Sequence, residues 1–467
     1  VIDAAGRMVT PGLIDAHLHL LNGGKTLSRL DLSKVRSRDG FESLIAVAHR
    51  NLPPDEWLIG WGWSQENWGG AMPDKSWLRA AGDRPVVCHR MDIHAALVND
   101  AVLQRCDLRN DPPGGRIGRD ERTGQANGLM IEAAAWQLVN PLIPEPDIER
   151  KQQTLLDAQH HAHSFGLTTV GSMEFIADVR EVFEPLRDQL TLRCRITQMD
   201  RAWPMSFDFA RKFPNDDHLA VIGCKAFIDG TLGSRTARML ADYSDDPGNC
   251  GMFVELAADG LLVEWAKAVA DAGLSPSMHA IGDAAVHLAL DALDQVDPAR
   301  RPRIEHAQQI DPADLARFRN GRIASMQPLH KADDCRYARR RLGDERLAGT
   351  FAFRSLKNAG AMLAFGSDWP VVTCDPVPGM RAAITGLTLD GDVFAPEQNL
   401  TVEETLRAYT VDAAFALGMD DGGMLAVGNL GDLVIWDRDP FQIDWHHEAP
   451  NVAKTVVAGT VVYDAGG

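Results

Sequence analysis

Three kinds of hydrophobic pattern follow one another along the chain, and their boundaries divide it. Between residues 166 and 367, short apolar runs of strand length alternate with stretches whose apolar residues recur every three or four positions. That is the pattern of stacked strand–helix units. The runs fall at 167–173, 190–198, 219–228, 274–280, 303–307, 322–327 and 361–367, and an earlier one at 13–20 makes eight. Amphipathic helices are clearest at 261–272 and 284–295. Eight strands with helical crossovers predict an α/β fold, a (β/α)8 TIM barrel over residues 12–419, with its active site at the C-terminal strand ends.

Residues 25–146 leave that rhythm. They hold Trp57, Trp61, Trp63, Trp68 and Trp77, a β-like run at 85–91, and turn-rich pieces at 111–115 and 123–125. So long a connection rarely lacks structure of its own, which predicts an inserted subdomain or lid after the first barrel strand. From about residue 420 the pattern changes again, to β-runs at 428–436 and 452–463 with glycine turns, matched by a strand and turn at 1–10. Residues 1–11 and 420–467 are therefore expected to build one small β-sandwich domain from both chain ends. Because the chain opens on Val1-Ile2-Asp3 as if midway through a strand, a further segment is expected upstream.

Composition narrows the partners more than the fold. Forty-seven basic against 65 acidic residues leave a formal charge of −18, which argues against nucleic acid or an anionic membrane as a partner. The seven cysteines are odd in number and never in CxxC spacing, so neither a disulfide framework nor a thiolate zinc site is expected, and a reducing cytoplasmic location is. No apolar run is long enough to span a bilayer. A small molecule is the expected partner, and homo-oligomerisation stays open.

The candidate chemistry begins in the first run, Gly12-Leu13-Ile14-Asp15-Ala16-His17-Leu18-His19-Leu20. Residues two apart on a strand share a face, so His17 and His19 can offer both imidazoles to one metal ion. The richer cluster His160-His161-Ala162-His163 lies in a helix-like stretch, where such residues diverge, and is expected to be helix surface. Further groups stand where strands end: Lys225 inside an apolar run, where a lone ammonium is costly, then His279, His306 and Asp368. Each has a bland alternative as a satisfied core histidine, a helix N-cap or a snorkelling lysine. Taken jointly, the bland account needs five coincidences of residue type and position.

Five motifs carry a resemblance: Pro11-Gly12-Leu13-Ile14-Asp15-Ala16-His17-Leu18-His19, the run from Lys225 through Asp229 to Ala237, His279-Ala280-Ile281-Gly282-Asp283, Arg303-Ile304-Glu305-His306-Ala307-Gln308, and Phe365-Gly366-Ser367-Asp368-Trp369-Pro370-Val371. In this order they resemble the amidohydrolase superfamily, in its amidohydrolase-3 branch, which includes enzymes similar to N-substituted formamide deformylase. The resemblance implies a barrel with two divalent metal ions, usually zinc. It gives His17, His19 and Asp368 to the first ion, His279 and His306 to the second, and an N-carboxylated Lys225 as the bridge. The reaction it implies is hydrolysis of a C–N bond in an amide or amide-like small molecule by a metal-activated hydroxide, with Asp368 as general acid and base. The rivals are a mononuclear deaminase or cyclic hydrolase of the same superfamily, and a catalytically silent binding protein. For substrate contacts the candidates are Arg235, whose planar fork suits a carboxylate or carbonyl, and His94, in a branch motif usually written with Gly where this chain has Ile93. Trp61 and Trp63 join them, although such a cluster is more often a lid's own core.

Overall fold

The computed structural model describes residues 2–466, so Val1 and Gly467 of the expected end domain lie outside the described residues. The chain falls into two compact units, the smaller of Gly24–Arg150 and the larger of everything before and after it.

In the larger unit all eight expected strands form one parallel sheet in chain order: Leu13–Leu18, Leu167–Glu174, Arg193–Gln198, Leu219–Phe227, Ser275–Ala280, Arg303–His306, Ile323–Met326 and Met362–Phe365. Strands covered on both faces carry near-continuous apolar runs, and the first is buried at every residue. The two expected helices form at Leu262–Asp271 and Asp283–Leu293.

The last and first strands meet across a seam that sets the geometry of the site. Asp368 N–H donates to the His17 carbonyl at 2.7 Å, and His19 N–H to the Trp369 carbonyl at 2.8 Å. Beside these bonds the buried Asp15 carboxylate accepts from His17 N–H at 3.0 Å, from Ser367 N–H at 3.1 Å and from the Ser367 hydroxyl at 2.5 Å. Burial pushes the Asp15 carboxyl up to about 7 in spite of those bonds. A Cβ at Gly366 would lie 2.6 Å from both Asp15 Oδ1 and the His17 amide nitrogen, so only glycine allows this approach. The seam thereby holds Asp368 against the His17–His19 pair.

The chain ends supply one four-stranded antiparallel sheet, in the order Val9–Pro11, Leu433–Trp436, Val452–Val457, Thr460–Asp464. Its N-terminal strand is only the last part of the expected 1–10 run, and the 452–463 run is a hairpin. Ala458 (φ +48°) and Gly459 (φ +76°) turn it, the left-handed pair that suits strand twist. The Arg193 fork grips Asp432 at 2.7 and 3.0 Å, tying this sheet to the barrel.

One expectation is corrected here. The helix Ile148–Ser164 forms, and His160 is exposed, but His163 is fully buried, with Nδ1 2.9 Å from the Leu167 carbonyl and Nε2 2.9 Å from Thr191 Oγ1. The helix end packs on the strand it feeds. Burial pushes this imidazole down to about 4, which suits a neutral ring giving one hydrogen bond and accepting one.

The smaller unit does have structure of its own, a six-stranded mixed sheet ordered Leu30–Asp31, Leu58–Trp63, Val86–Arg90, Ala95–Val98, Ala126–Glu132, Gly115–Arg119. Phe41, Trp63, Trp68 and Trp77 pack ring against ring at 5.2–6.3 Å. Among the described residues no helix is long and apolar enough to cross a membrane, and all seven cysteines are free.

Candidate metal centre and active site

His17 and His19 leave the first strand on one face, and their Nε2 atoms lie 3.4 and 3.3 Å from the same Asp368 Oδ1. His306, at the end of the sixth strand, has its ring 5.1 Å from that of His17 and 4.6 Å from that of His279. One ligand atom from each of His17, His306 and Asp368 falls within 4.8 Å of the others. The backbone is left-handed at both His306 (φ +74°) and Asp368 (φ +60°). Non-glycine residues rarely adopt that conformation, and it tends to be tolerated where chemistry needs it.

Burial alone would raise the Asp368 carboxyl, but the imidazoles of His17, His19 and His306 outweigh it and hold the group well below the usual carboxylate range. Burial, with His279 beside it, holds His306 well below the ordinary imidazole value. Inside this cluster His17 Nε2 is buried without a hydrogen-bond partner. Such an atom costs about 1–3 kcal/mol, which a bound cation would offset. Imidazole and carboxylate donors are the ligand types of a divalent transition ion, so the residues present fit a metal.

Lys225 is 4% exposed in the fourth strand, and burial pushes its ammonium down to about 8, with Glu305 and Asp368 opposing that shift. His279 turns Nε2 toward the Gly230 carbonyl at 3.1 Å, which leaves Nδ1 as the nitrogen able to accept an ion. Asp229, 3.4 Å from the same Nε2, is fixed by the backbone N–H groups of Arg238, Ile281 and Gly282.

Three residues at this site went unassigned in the sequence. The fully buried Glu305 accepts from His17 Nδ1 at 2.6 Å and from Arg303 Nε at 2.5 Å, and it also bonds the Ser277 hydroxyl. A carboxylate on Nδ1–H leaves Nε2 bare for an ion and fixes the ring. Glu305 and its neighbour His306 both reach His17, which strand alternation forbids; the left-handed turn at His306 is what permits it. Gln327 and His330, just beyond the seventh strand, lie against His306. Because the charge on Glu305 orients a ligand, Glu305→Gln is expected to weaken metal retention about 10- to 100-fold in a chelator titration followed by bound-metal analysis.

Of the four proposed substrate contacts, Arg235 belongs to the larger unit and His94, Trp61 and Trp63 to the smaller. Arg235 gives its fork to Asp245 at 3.1 and 2.9 Å, and Arg341 pairs with the same carboxylate. His94, in the smaller unit, has Nδ1 2.7 Å from Glu132 Oε2 and its ring edge-on to Trp136. Burial lowers this imidazole, but Glu132 more than compensates and the net shift is upward. Ile93 has φ +57°, a conformation that the Gly usual at this place in the branch motif would adopt freely. Trp63 is fully buried, its Nε1–H donating to the Cys88 carbonyl at 2.7 Å, within the core of the smaller unit. Trp61, half-buried, lies two residues away on the same strand.

An eight-stranded parallel barrel with a His–His–Asp cluster at the C-terminal strand ends defines a metal-dependent hydrolase. The model of the amidohydrolase family matches residues 1–463, and the chain belongs to that family. It is 33% identical over 489 residues to Protein LONG AFTER FAR-RED 3 of Arabidopsis thaliana, covering 99% of this chain and 83% of the other. It is 25% identical over 502 residues to N-substituted formamide deformylase of Arthrobacter pascens, covering 100% and 90%. Among solved structures, an uncharacterized metal-dependent hydrolase of Pyrococcus horikoshii superposes with a TM-score of 0.77 at 27% identity, covering 96% of this chain and 89% of that one.

Proposed function

We propose that the chain hydrolyses a C–N bond of a small amide or amide-like molecule, with two divalent ions, zinc foremost, held at the C-terminal rim of the barrel. The observation that carries this is the convergence of His17, His19 and His306 on Asp368, in the electrostatic reach of the buried Lys225. On this reading His17, His19 and Asp368 hold the first ion and His279 and His306 the second. The His306 ring packs against both His17 and His279, as a ligand between two positions must. Lys225 would hold both ions as a carbamate: its ammonium gives up a proton, and the neutral amine then adds CO₂ with loss of a second proton, leaving an anion in place of a buried cation and removing the burial cost of the ammonium.

Ions bound there would lower the pKa of a shared water and polarise the substrate carbonyl. The chain's own part is proton handling. Asp368, held ionised by its imidazoles, takes the proton of the attacking water and passes it to the departing nitrogen. Glu305 keeps His17 in the tautomer that presents Nε2.

The name of the Arthrobacter relative makes N-substituted formamides the first substrates to try, followed by N-acyl amino acids, ureas and lactones. Metal-loaded protein is expected to hydrolyse at least one amide, to carry about two ions per chain, and to lose activity on chelation and regain it on re-addition. Full activity with one ion per chain would favour the mononuclear rival. Tight binding of amides without turnover would favour a silent binding protein.

A further inference from the structure

Two polar atoms beside this cluster have no part in the mechanism above. Gln327 follows the seventh strand, and His330 lies three residues on, in the first turn of the helix Pro328–Leu342. Residues at that spacing share a side of the turn, and both of these touch His306. Gln327 Oε1 is 2.8 Å from His306 Nδ1, so its NH₂ group points the other way. His330 stacks on the His306 ring, centroids 6.2 Å apart and planes 7° from parallel. Gln327 Nε2 and His330 Nε2 are both buried, and neither has a hydrogen-bond partner among the described residues. Buried polar atoms are nearly always paired, so two orphans on one ligand imidazole call for a partner from outside the chain.

We propose that these two atoms form a substrate subsite, in which His330 Nε2 accepts the N–H of a primary or secondary amide and Gln327 Nε2 donates to an oxygen of the same molecule. The proposal rests on the amide-hydrolase reading and narrows it to substrates that keep a hydrogen on the scissile nitrogen. A neutral imidazole carries one donor and one acceptor nitrogen, and the tautomer with Nε2 bare complements an amide N–H. An ester or an N-methylated amide has no such hydrogen and would leave Nε2 unpaired, which is the strongest basis a polar pocket has for rejecting an analogue.

The test measures kcat/KM of the metal-loaded protein on a secondary amide, its N-methyl counterpart and the corresponding ester, with bound metal and Tm recorded for each variant. Wild type is expected to prefer the N–H amide over the N-methyl amide by about tenfold or more. His330→Ala should lower kcat/KM on the N–H amide about ten- to a hundredfold, mainly through KM, and change the other two compounds less than about threefold. Bound metal should not change, and His330→Gln, which restores an acceptor oxygen, should recover part of the loss. Equal losses on all three compounds, no loss on any, or loss of metal in His330→Ala would overturn the proposal. If His330→Ala does not fold, the wild-type N–H to N-methyl ratio decides, and a ratio near one overturns it. A wild type that cleaves the ester but neither amide overturns the C–N reading itself, a result distinct from a working amidase with an unchanged ratio.

Discussion

Asp368→Asn is expected to lower kcat on the best amide substrate by about 10²–10⁴-fold while the fold and most of the bound metal persist. Asparagine keeps the shape of the side chain and an oxygen toward His17 and His19, and the seam bond from the residue 368 N–H to the His17 carbonyl does not involve the side chain. What it removes is the charge that three imidazoles hold in place and the ability to take up and release a proton. Alanine would remove a ligand as well and merge two roles in one result, so the amide is the informative change. Activity within tenfold of wild type, at equal metal content, would show that the proton passes through another group.

The barrel was legible because its strands stand in the sequence as short runs alternating with stretches of helical period, and all eight expected runs form strands. The histidines of the first strand were legible for a similar reason, since period two alone brings two imidazoles to one side. What could not be read depends on partners distant in the chain or on backbone that breaks its period. Asp15 stands in the same apolar run as His17, and nothing local says that its carboxylate spans a seam to Ser367, 352 residues later. Glu305 was hidden by alternation: next to His306 it should face away, and only the left-handed turn at His306 lets both reach His17. His330 sits in an ordinary polar helix turn, and only the fold lays it on His306. His163 went the other way, read as surface because the packing of its helix end on the next strand leaves no mark in the helical period. The oddity at Ile93 was visible as a departure from the branch motif, but its meaning, a left-handed backbone, shows only in the fold.

Lys225→Ala is the change expected to separate the proposed two-ion centre from its one-ion rival. Without the bridging carbamate one ion per chain should be lost. Lewis-acid stabilisation worth several kcal/mol should go with it, so kcat falls by about a thousandfold or more. The substitution also opens a space beside the ligands that a short carboxylate can enter, so acetate or propionate in the buffer should restore part of both metal and activity. Lys225→Met supplies the control, because it fills the same volume with apolar atoms and should show the loss without the rescue. It should also be the more stable protein when metal-free at neutral pH, since it has no buried ammonium to desolvate. In the metal-free fold burial pushes this ammonium down from 10.5 to about 8. The unfolded chain therefore binds the extra proton between those values, and wild type should gain stability on Lys225→Met as pH rises from about 8 toward 10.5. Unchanged metal content and near wild-type turnover in Lys225→Ala would remove the bridge from the mechanism and leave His17, His306 and Asp368 as a single-ion site, the arrangement that their mutual distances already allow.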